Sequence, residues 1–367
     1  MTFLLQIFFV FFLPVILVML LFHPQFGGRL KKKHREAYSR SKHWNGKQFE
    51  NLVETSMNMK PKDMPGLIKA QFTDRKVREL EKPIPIIPFD ENAWNAEPEK
   101  PKFIWYGHSV GLLQIGGKNL LVDPMFGDDT SPIAPMKTKR FSENSLEVID
   151  QLPHIDAVLY THDHYDHIDL KSVKKLIPKV DNWFVGMGIG RHLERWKIPS
   201  SKIQEFDWWE DVDFEGVKIT YTPNRHFTGR GPFDRQQSLW GGWTFKTSEH
   251  NIYWSGDGGY GAHFKEIGER LGSFDHAFME NGQYNELWHQ IHLHPEESVQ
   301  AAIDVKANVA TPVHWAGFAL ALHPWKEPIE RFTVEARNKN LPVSTPQIGE
   351  IREIGVSNSE NWWESLS

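Results

Sequence analysis

Three histidines and three aspartates fall within eight consecutive positions of this chain, His162 to Asp169. Imidazole and carboxylate are ligands that hold Zn²⁺, Fe or Mn in proteins. No Lys or Arg lies within the segment to balance its carboxylates. The order His-x-His-x-Asp-His indicates a turn that offers two histidines to one metal and an Asp-His pair to a second metal beside it. We therefore predict a metal-binding loop instead of a solvated polar turn.

The residues around this loop predict its position in a sheet. Residues 156–160 form a short apolar run that is typical of a buried strand, so the loop would leave the strand at its carboxyl end. Three further candidates each follow a predicted strand, and these are His226, Asp257 and His314. Taken singly, such a residue is more often a cap or a hydrogen-bonded core group. Together with the loop they complete a set of seven ligands.

The chain after residue 103 mixes strand and helix patterns. Apolar runs at 112–115 and 119–122 predict two strands joined by a hairpin turn at Gly116-Gly117. Helical patterns follow, for example at 170–177 and 295–305. Because hairpins and helices alternate, the pattern favours a sandwich of two sheets with helices on the outside.

Composition excludes several functional classes. The net charge of −5 and the pI near 6.4 give no basic stripe, so we expect no nucleic-acid partner. The sequence has no Cys, which excludes disulfides, thiolate metal ligands and a cysteine nucleophile.

The amino-terminal segment is strongly apolar. Phe3 to Phe22 is interrupted only by Gln6 and Pro14, and about 20 such residues span a bilayer as a helix. A cleaved signal peptide is the alternative, but the segment lacks a basic start, has a long apolar region and is not followed by Ala-x-Ala. We predict a single-pass anchor in the cell membrane. The basic run at 31–35 then places the catalytic domain on the cytoplasmic side.

The seven candidate ligands, in this order, resemble the ligand series of the metallo-β-lactamase fold over roughly residues 100–330. Additional motifs resemble the branch that contains N-acylphosphatidylethanolamine-hydrolysing phospholipase D, and in part ascorbate-phosphate lactonase-like proteins. These motifs are Trp105-Tyr-Gly-His108-Ser, Leu121-Val-Asp123-Pro124, Ser255-Gly-Asp257-Gly-Gly, His292-Leu-His294-Pro295-Glu-Glu and His314-Trp-Ala-Gly-Phe318.

The resemblance implies an α/β fold, an αββα four-layer sandwich of the metallo-β-lactamase type, here preceded by the predicted transmembrane helix. The expected organisation has four parts: a transmembrane anchor at 1–30, a Pro-containing lead-in segment at 31–100, a catalytic domain at 101–345 and a C-terminal tail at 346–367.

The resemblance also implies roles for individual residues. One metal would be held by His162, His164 and His226. The second metal would be held by Asp166, His167 and His314. Asp257 would bridge the two metals and act with Asp166 in catalysis, whereas Tyr165 and His292 would contact substrate. Two Zn ions are expected, with Fe or Mn as alternatives.

The function implied is a zinc-dependent phosphodiesterase of the phospholipase D type. A hydroxide bridging the two metals would hydrolyse N-acylphosphatidylethanolamine or a related phospholipid. The ligands alone leave two alternatives open, a lactonase or phospholactone hydrolase and a non-catalytic membrane-anchored scaffold. The expected partners are a phospholipid substrate and the membrane, which would be contacted through residues 3–22. The sequence is also compatible with a homodimer.

Other residues are candidates for supporting roles. Asp123 and Asp163 are expected either to orient the ligating imidazoles or to cap turns, and Asp169 either to support the site or to cap the helix that follows. Tryptophans are candidates for lining an acyl groove, with core packing as the alternative. The first four candidates are Trp208, Trp209, Trp288 and Trp315.

Overall fold

The computed structural model describes residues 8–73, 75–131 and 138–366. Thirteen strands in these ranges form two sheets. The first sheet contains β1 (Lys102–Trp105), β2 (Gly111–Ile115), β3 (Lys118–Val122), β4 (Ile155–Tyr160), β5 (Val180–Gly186), β6 (Ile203–Phe206) and β13 (Ile351–Glu353). The second sheet contains β7 (Asp211–Phe214), β8 (Val217–Thr222), β9 (Gly242–Lys246), β10 (Asn251–Trp254), β11 (Phe274–Glu280) and β12 (Ala307–Val313).

The strand order places several carboxyl ends at one edge of each sheet. The first sheet has the order β13-β1-β2-β3-β4-β5-β6, and β3 to β6 run parallel. The second has the order β12-β11-β10-β9-β8-β7, and β10 to β12 run parallel. The turn between β2 and β3 is the predicted hairpin, since both Gly116 and Gly117 have positive φ, 57° and 71°. Glycine adopts this conformation without a steric penalty.

Eleven α-helices occur in the described ranges. They are α1 (Leu13–Phe22), α2 (Lys32–Tyr38), α3 (Met64–Thr73), α4 (Arg75–Arg78), α5 (Glu91–Asn95), α6 (Val148–Gln151), α7 (Leu170–Leu176), α8 (Gly190–Arg195), α9 (His263–Arg270), α10 (Pro295–Asp304) and α11 (Glu327–Asn338).

Three hydrophobic clusters define the layers. Trp105 and Trp243 belong to the cluster that both sheets share between their inner faces. Ile149 of α6, with residues of α7 and α8, packs on the outer face of the first sheet. Phe264 of α9 and Phe332 of α11 pack with α10 on the outer face of the second. The predicted αββα sandwich is therefore confirmed, because each sheet buries both of its faces.

The start of α7 shows how the sequence sets one boundary. The Asp169 carboxylate accepts hydrogen bonds from the backbone N–H groups of Lys171 (2.8 Å) and Ser172 (3.0 Å). These groups have no partner within the helix, so an aspartate at this position stabilises its first turn. The capping role of Asp169 is thus confirmed.

The structure contradicts the predicted single-pass anchor and the cell-membrane location derived from it. In the described part of the chain, no helix is long and apolar enough to cross a membrane. A π-helical turn at Phe8–Phe12 gives way to α1, whose 10 residues rise about 15 Å, half of a hydrocarbon core. The chain then turns onto the folded domain, where the Trp196 indole N–H donates to the Pro24 carbonyl at 2.8 Å. Residues 1–7 of the predicted span lie outside the described ranges.

Candidate metal centre

The seven predicted ligands converge where strand ends of the two sheets meet. The first group comprises His162 and His164, from the loop after β4, and His226, from the loop after β8. His164 Nδ1 lies 2.9 Å from His162 Nε2 and 3.2 Å from His226 Nε2. Three imidazole nitrogens therefore face a common point.

A second group lies beside the first. It combines Asp166 and His167 with His314, which follows β12, and with His108, which follows β1. Asp166 Oδ2 lies 3.3 Å from His314 Nε2 and 3.6 Å from His167 Nε2. His108 Nε2 is at hydrogen-bond distance from the same carboxylate oxygen, 2.9 Å, and so orients it.

Asp257 lies between the two groups. Its Oδ2 atom is 3.2 Å from His167 Nε2 and 3.0 Å from His314 Nε2, and its carboxylate also shares a cluster with His162. Its Oδ1 atom is buried and has no hydrogen-bond partner within the described ranges. A buried carboxylate oxygen without a donor is costly, and a cation at this position would remove the cost.

Hydrogen bonds on the outer side of the imidazoles fix which nitrogen faces inward. Asp123, at the end of β3, accepts from the Thr161 N–H (2.8 Å), the Thr161 hydroxyl (2.7 Å) and His167 Nδ1 (2.8 Å). His226 Nδ1 donates to the Ile291 carbonyl at 2.8 Å. Because Nδ1 carries the proton in these rings, Nε2 is left as the ligating atom.

Asp163 does not contact the inward-facing imidazoles in this way. Its carboxylate accepts from the Gly229 N–H (2.9 Å) and the Ser238 hydroxyl (2.6 Å), and it lies 3.3 Å from His192 Nε2. It therefore ties the ligand loop to the segment at 229–238. Of the two candidate orienting carboxylates, Asp123 is the one that contacts a candidate ligand.

The electrostatics of the two groups differ. Burial, followed by repulsion from neighbouring imidazoles, holds the pKa of His162 and of His226 well below the usual value. Burial lowers the pKa of His164 to about 4, so the first group is neutral near pH 7. Neutral imidazole is the form that binds metal.

In the second group, burial also lowers the pKa of His314, but the Asp257 and Asp166 carboxylates outweigh it and raise the pKa to about 10. The Asp257, Asp166 and Asp123 carboxylates likewise raise the pKa of His167 against the effect of burial. These carboxylates thus require positive charge in the centre. Divalent cations would supply that charge in place of protons, so the residues fit metal ions in both groups.

A cavity of about 270 Å³ opens onto the centre. Its apolar lining comes from two parts of the chain, the lead-in segment and the loops around the centre. The apolar residues are Met57, Met59, Phe227, Trp288, Ile291 and Leu320. Its polar lining includes five residues of the centre and its surroundings. These polar residues are His164, Asp166, Asp257, His292 and His314.

His292 and Tyr165, the two predicted substrate contacts, have different surroundings. His292 lines the cavity, and its Nδ1 is hydrogen-bonded to Glu280 at the end of β11, so Nε2 is the atom it can present to a ligand. Tyr165 does not line this cavity: its hydroxyl donates to the Arg230 carbonyl at 2.5 Å, and the Arg230 guanidinium lies 4.0 Å from the ring centroid. A substrate contact by Tyr165 stays a prediction.

Among the four candidate tryptophans, Trp288 lines the cavity. Trp208 and Trp315 are buried in the cluster between the sheets, as core packing predicts. Trp209 is packed against that cluster, and the Arg270 guanidinium lies 3.7 Å from its ring centroid.

Sequence reasoning missed several residues near the centre. His108 has the same sequence signal as His226, a histidine shortly after an apolar run, but the prediction includes it only as part of a motif. No residue of the lead-in segment was among the predicted site residues, yet Asn51 pairs with the backbone of His226 in both directions, at 2.8 and 3.1 Å. Met57 and Met59 follow it into the cavity wall.

Comparisons with known proteins show the family to which the chain belongs. Residues 118–315 match the family model described as a beta-lactamase superfamily domain. An uncharacterized protein of Mycobacterium tuberculosis is 36% identical over 286 residues, which cover 77% of this chain and 76% of the relative. N-acyl-phosphatidylethanolamine-hydrolyzing phospholipase D 1 of Caenorhabditis elegans is 30% identical over 267 residues, covering 68% of this chain and 74% of the relative.

Solved structures show the same fold at low sequence identity. Igni18, a metallo hydrolase from Ignicoccus hospitalis, is 18% identical with a TM-score of 0.54, covering 70% of this chain and 98% of that chain. Isothiocyanate hydrolase from Delia radicum gut bacteria is 20% identical, also with a TM-score of 0.54, and the match covers 69% of this chain and 99% of that chain.

Proposed function

The chain belongs to the beta-lactamase superfamily of metal-dependent hydrolases, and we propose that it hydrolyses a phospholipid as a phospholipase D. The substrate would be N-acylphosphatidylethanolamine or a related phospholipid, cleaved between phosphate and ethanolamine. Two relatives named for this activity, from C. elegans and Saccharomyces cerevisiae, are each 30% identical to the chain. The observation that carries the proposal is a pair of adjacent ligand groups at the base of a cavity whose wall is largely apolar.

Two divalent cations, with Zn²⁺ as the first choice and Fe or Mn as alternatives, would supply Lewis-acid stabilisation of negative charge and a nucleophile near neutral pH. His162, His164 and His226 would hold one cation. Asp166, His167 and His314 would hold the other, with Asp257 between them. Asp123 and His108 keep this arrangement rigid, since they fix the orientation of His167 and of Asp166.

The cavity fits a headgroup better than a whole lipid. Its volume of about 270 Å³ is below the range of pockets that enclose a drug-sized ligand, so the phosphate would enter while the acyl chains lie along the mouth. With its Nδ1–H donated to Glu280, His292 in its doubly protonated form would also donate from Nε2 to a phosphate oxygen. Met57, Met59 and Trp288 would contact the first methylenes of the chains and exclude water from the reacting phosphate.

The test is turnover of N-acylphosphatidylethanolamine by the purified, metal-loaded full chain. We expect phosphatidic acid and N-acylethanolamine in equal amounts. Asp166→Asn should lower the rate at least about 100-fold, because the carboxylate that faces both His167 and His314 loses its charge. Asp150→Asn, which changes an exposed carboxylate in α6, is the matched control and should leave the rate unchanged.

Other outcomes would contradict the proposal. Turnover confined to a panel of lactones would identify a lactonase on the same residues, since a metal-dependent nucleophile attacks an ester carbonyl as readily as phosphorus. A metal-loaded, folded protein that turns over none of these substrates would favour a non-catalytic scaffold.

A further inference from the structure

A second cluster of metal-ligating side chains lies outside the candidate metal centre. Glu286 and His289 belong to the 3₁₀ turn Glu286–Ile291, and His294 is the residue just before α10. One potential ligand atom of each residue lies within 4.8 Å of the other two. His294 Nε2 is 3.9 Å from Glu286 Oε1, and the ring centroids of His289 and His294 are 4.5 Å apart. These three residues are called the peripheral cluster below.

The surroundings of the cluster hold its imidazoles in place. His289 Nε2 lies 2.8 Å from both carboxylate oxygens of Glu297, and carboxylates commonly orient ligating histidines in this way. His294 Nε2 is buried and has no hydrogen-bond partner in the part of the chain that the structure describes. A buried imidazole nitrogen left without a partner beside a carboxylate is an incomplete polar arrangement, which a cation between the two would complete.

We propose that Glu286, His289 and His294 bind a single divalent transition-metal ion such as Zn²⁺, separate from the candidate metal centre. Two imidazoles and one carboxylate form a common donor set for this type of ion. The side chain of Glu286 is 84% exposed and that of His294 is 14% exposed, so the site opens to solvent on one side. Water would fill the remaining coordination positions, and we expect weaker binding than at the buried centre.

The position of the cluster gives this ion a structural effect. The turn that carries Glu286 and His289 also supplies Trp288 and Ile291 to the cavity wall. An ion bound to both this turn and His294 would fasten the wall to the start of α10. Occupancy of the peripheral cluster would therefore restrict motion of the cavity wall without contact with the reacting groups.

The test counts metal instead of turnover, so its result is independent of the proposed reaction. Full chain stripped with a chelator is titrated with Zn²⁺ by isothermal calorimetry. We expect the parent to bind one equivalent more than His294→Gln, with that equivalent the weakest of those bound. His154→Gln, which changes an exposed histidine paired with Asp181, is the matched control and should bind as the parent does.

Two measurements distinguish loss of the metal site from a folding defect in His294→Gln. Glu286→Gln changes a mostly exposed side chain and should weaken the last equivalent at least about 10-fold while leaving the others unchanged. Hydrogen exchange of amides 286–294 should slow when the last equivalent binds to the parent, but not in His294→Gln. Equal numbers of bound Zn²⁺ in parent, His294→Gln and Glu286→Gln, at equal affinity, would overturn the proposal.

Discussion

Asp123→Asn tests whether a buried carboxylate sets the ligating form of a histidine. In the parent, Oδ2 of Asp123 accepts from both the Thr161 hydroxyl and His167 Nδ1, while Oδ1 accepts from the Thr161 N–H. Asparagine keeps the shape but replaces one acceptor by an NH₂ donor. If its oxygen keeps the bond from the Thr161 N–H, its NH₂ group faces His167 Nδ1. His167 can then form a hydrogen bond only by moving its proton to Nε2.

The consequence falls on the nitrogen that a metal needs. His167 Nε2 lies 3.2 Å from Asp257 Oδ2, inside the candidate metal centre, and a protonated Nε2 cannot ligate. Loss of an orienting carboxylate typically weakens metal binding 10- to 100-fold. We expect a loss in this range for one of the two metals, equivalent to about 1.4–2.7 kcal/mol of binding free energy. The affinity of the metal at His162, His164 and His226 should change much less.

The assay is a competition between metal-free protein and a chromogenic chelator for Zn²⁺, with circular dichroism to confirm folding. Asp181→Asn is the matched control, because Asp181 also pairs with a histidine, His154, at 2.6 Å, but at the exposed surface. It should bind Zn²⁺ as the parent does. Equal affinities for both metals in parent and Asp123→Asn would refute the argument that Asp123 sets the protonation of His167.

Three further predictions concern stability and positioning. Asn51→Ala removes both hydrogen bonds to the backbone of His226 and should weaken Zn²⁺ binding about 10-fold in the chelator competition, whereas an unchanged affinity would mean that the lead-in does not position the ligand. Burial lowers the pKa of His276 to about 3. His276 therefore becomes protonated near pH 6.5 in the unfolded chain but stays neutral at that pH in the folded chain. The free energy of unfolding should therefore fall as the pH falls from 6.5 towards 3. In urea denaturation, His276→Gln should reduce the change in the free energy of unfolding per pH unit by at most about 1.4 kcal/mol. An unchanged pH dependence would contradict the conclusion that burial keeps His276 neutral. In Gly258→Ala the new Cβ would lie 1.9 Å from Asn224 Oδ1. Thermal unfolding should therefore show a free energy of unfolding lower by about 1–3 kcal/mol, and an unchanged melting temperature would show that the loop accommodates the methyl group without strain.

The parts of the centre that follow a single strand could be predicted from sequence. His162, Asp166 and their neighbours sit on one turn, and His314 follows its own strand directly, so local patterns were sufficient. His108 depends on a contact between distant segments. Its N–H donates to the Trp315 carbonyl at 2.9 Å, and its carbonyl accepts from the His314 N–H at 2.8 Å. No pattern within either segment encodes that pairing.

The positions of the lead-in segment and of the amino terminus also depend on contacts that local sequence patterns do not encode. Met57 reaches the cavity because the neighbouring Ser56 N–H donates to the Gln290 side chain at 2.9 Å, a contact across 234 positions. Hydropathy indicated a span at 3–22 because it sums apolar residues and does not register where a helix ends. Within the described part of this apolar segment, the regular α-helix extends only from Leu13 to Phe22. The chain beyond Phe22 turns onto the folded domain.

Hydrolysis in ¹⁸O-labelled water tests the central proposal most directly, because it reports which atom the nucleophile attacks. With N-acylphosphatidylethanolamine and the metal-loaded full chain, attack on phosphorus places one ¹⁸O atom in the phosphate of phosphatidic acid and none in N-acylethanolamine. Mass spectrometry of both products measures this. Label in a released fatty acid, or in a ring-opened lactone with no labelled phosphatidic acid, would show attack on carbon and contradict the proposed phospholipase D reaction.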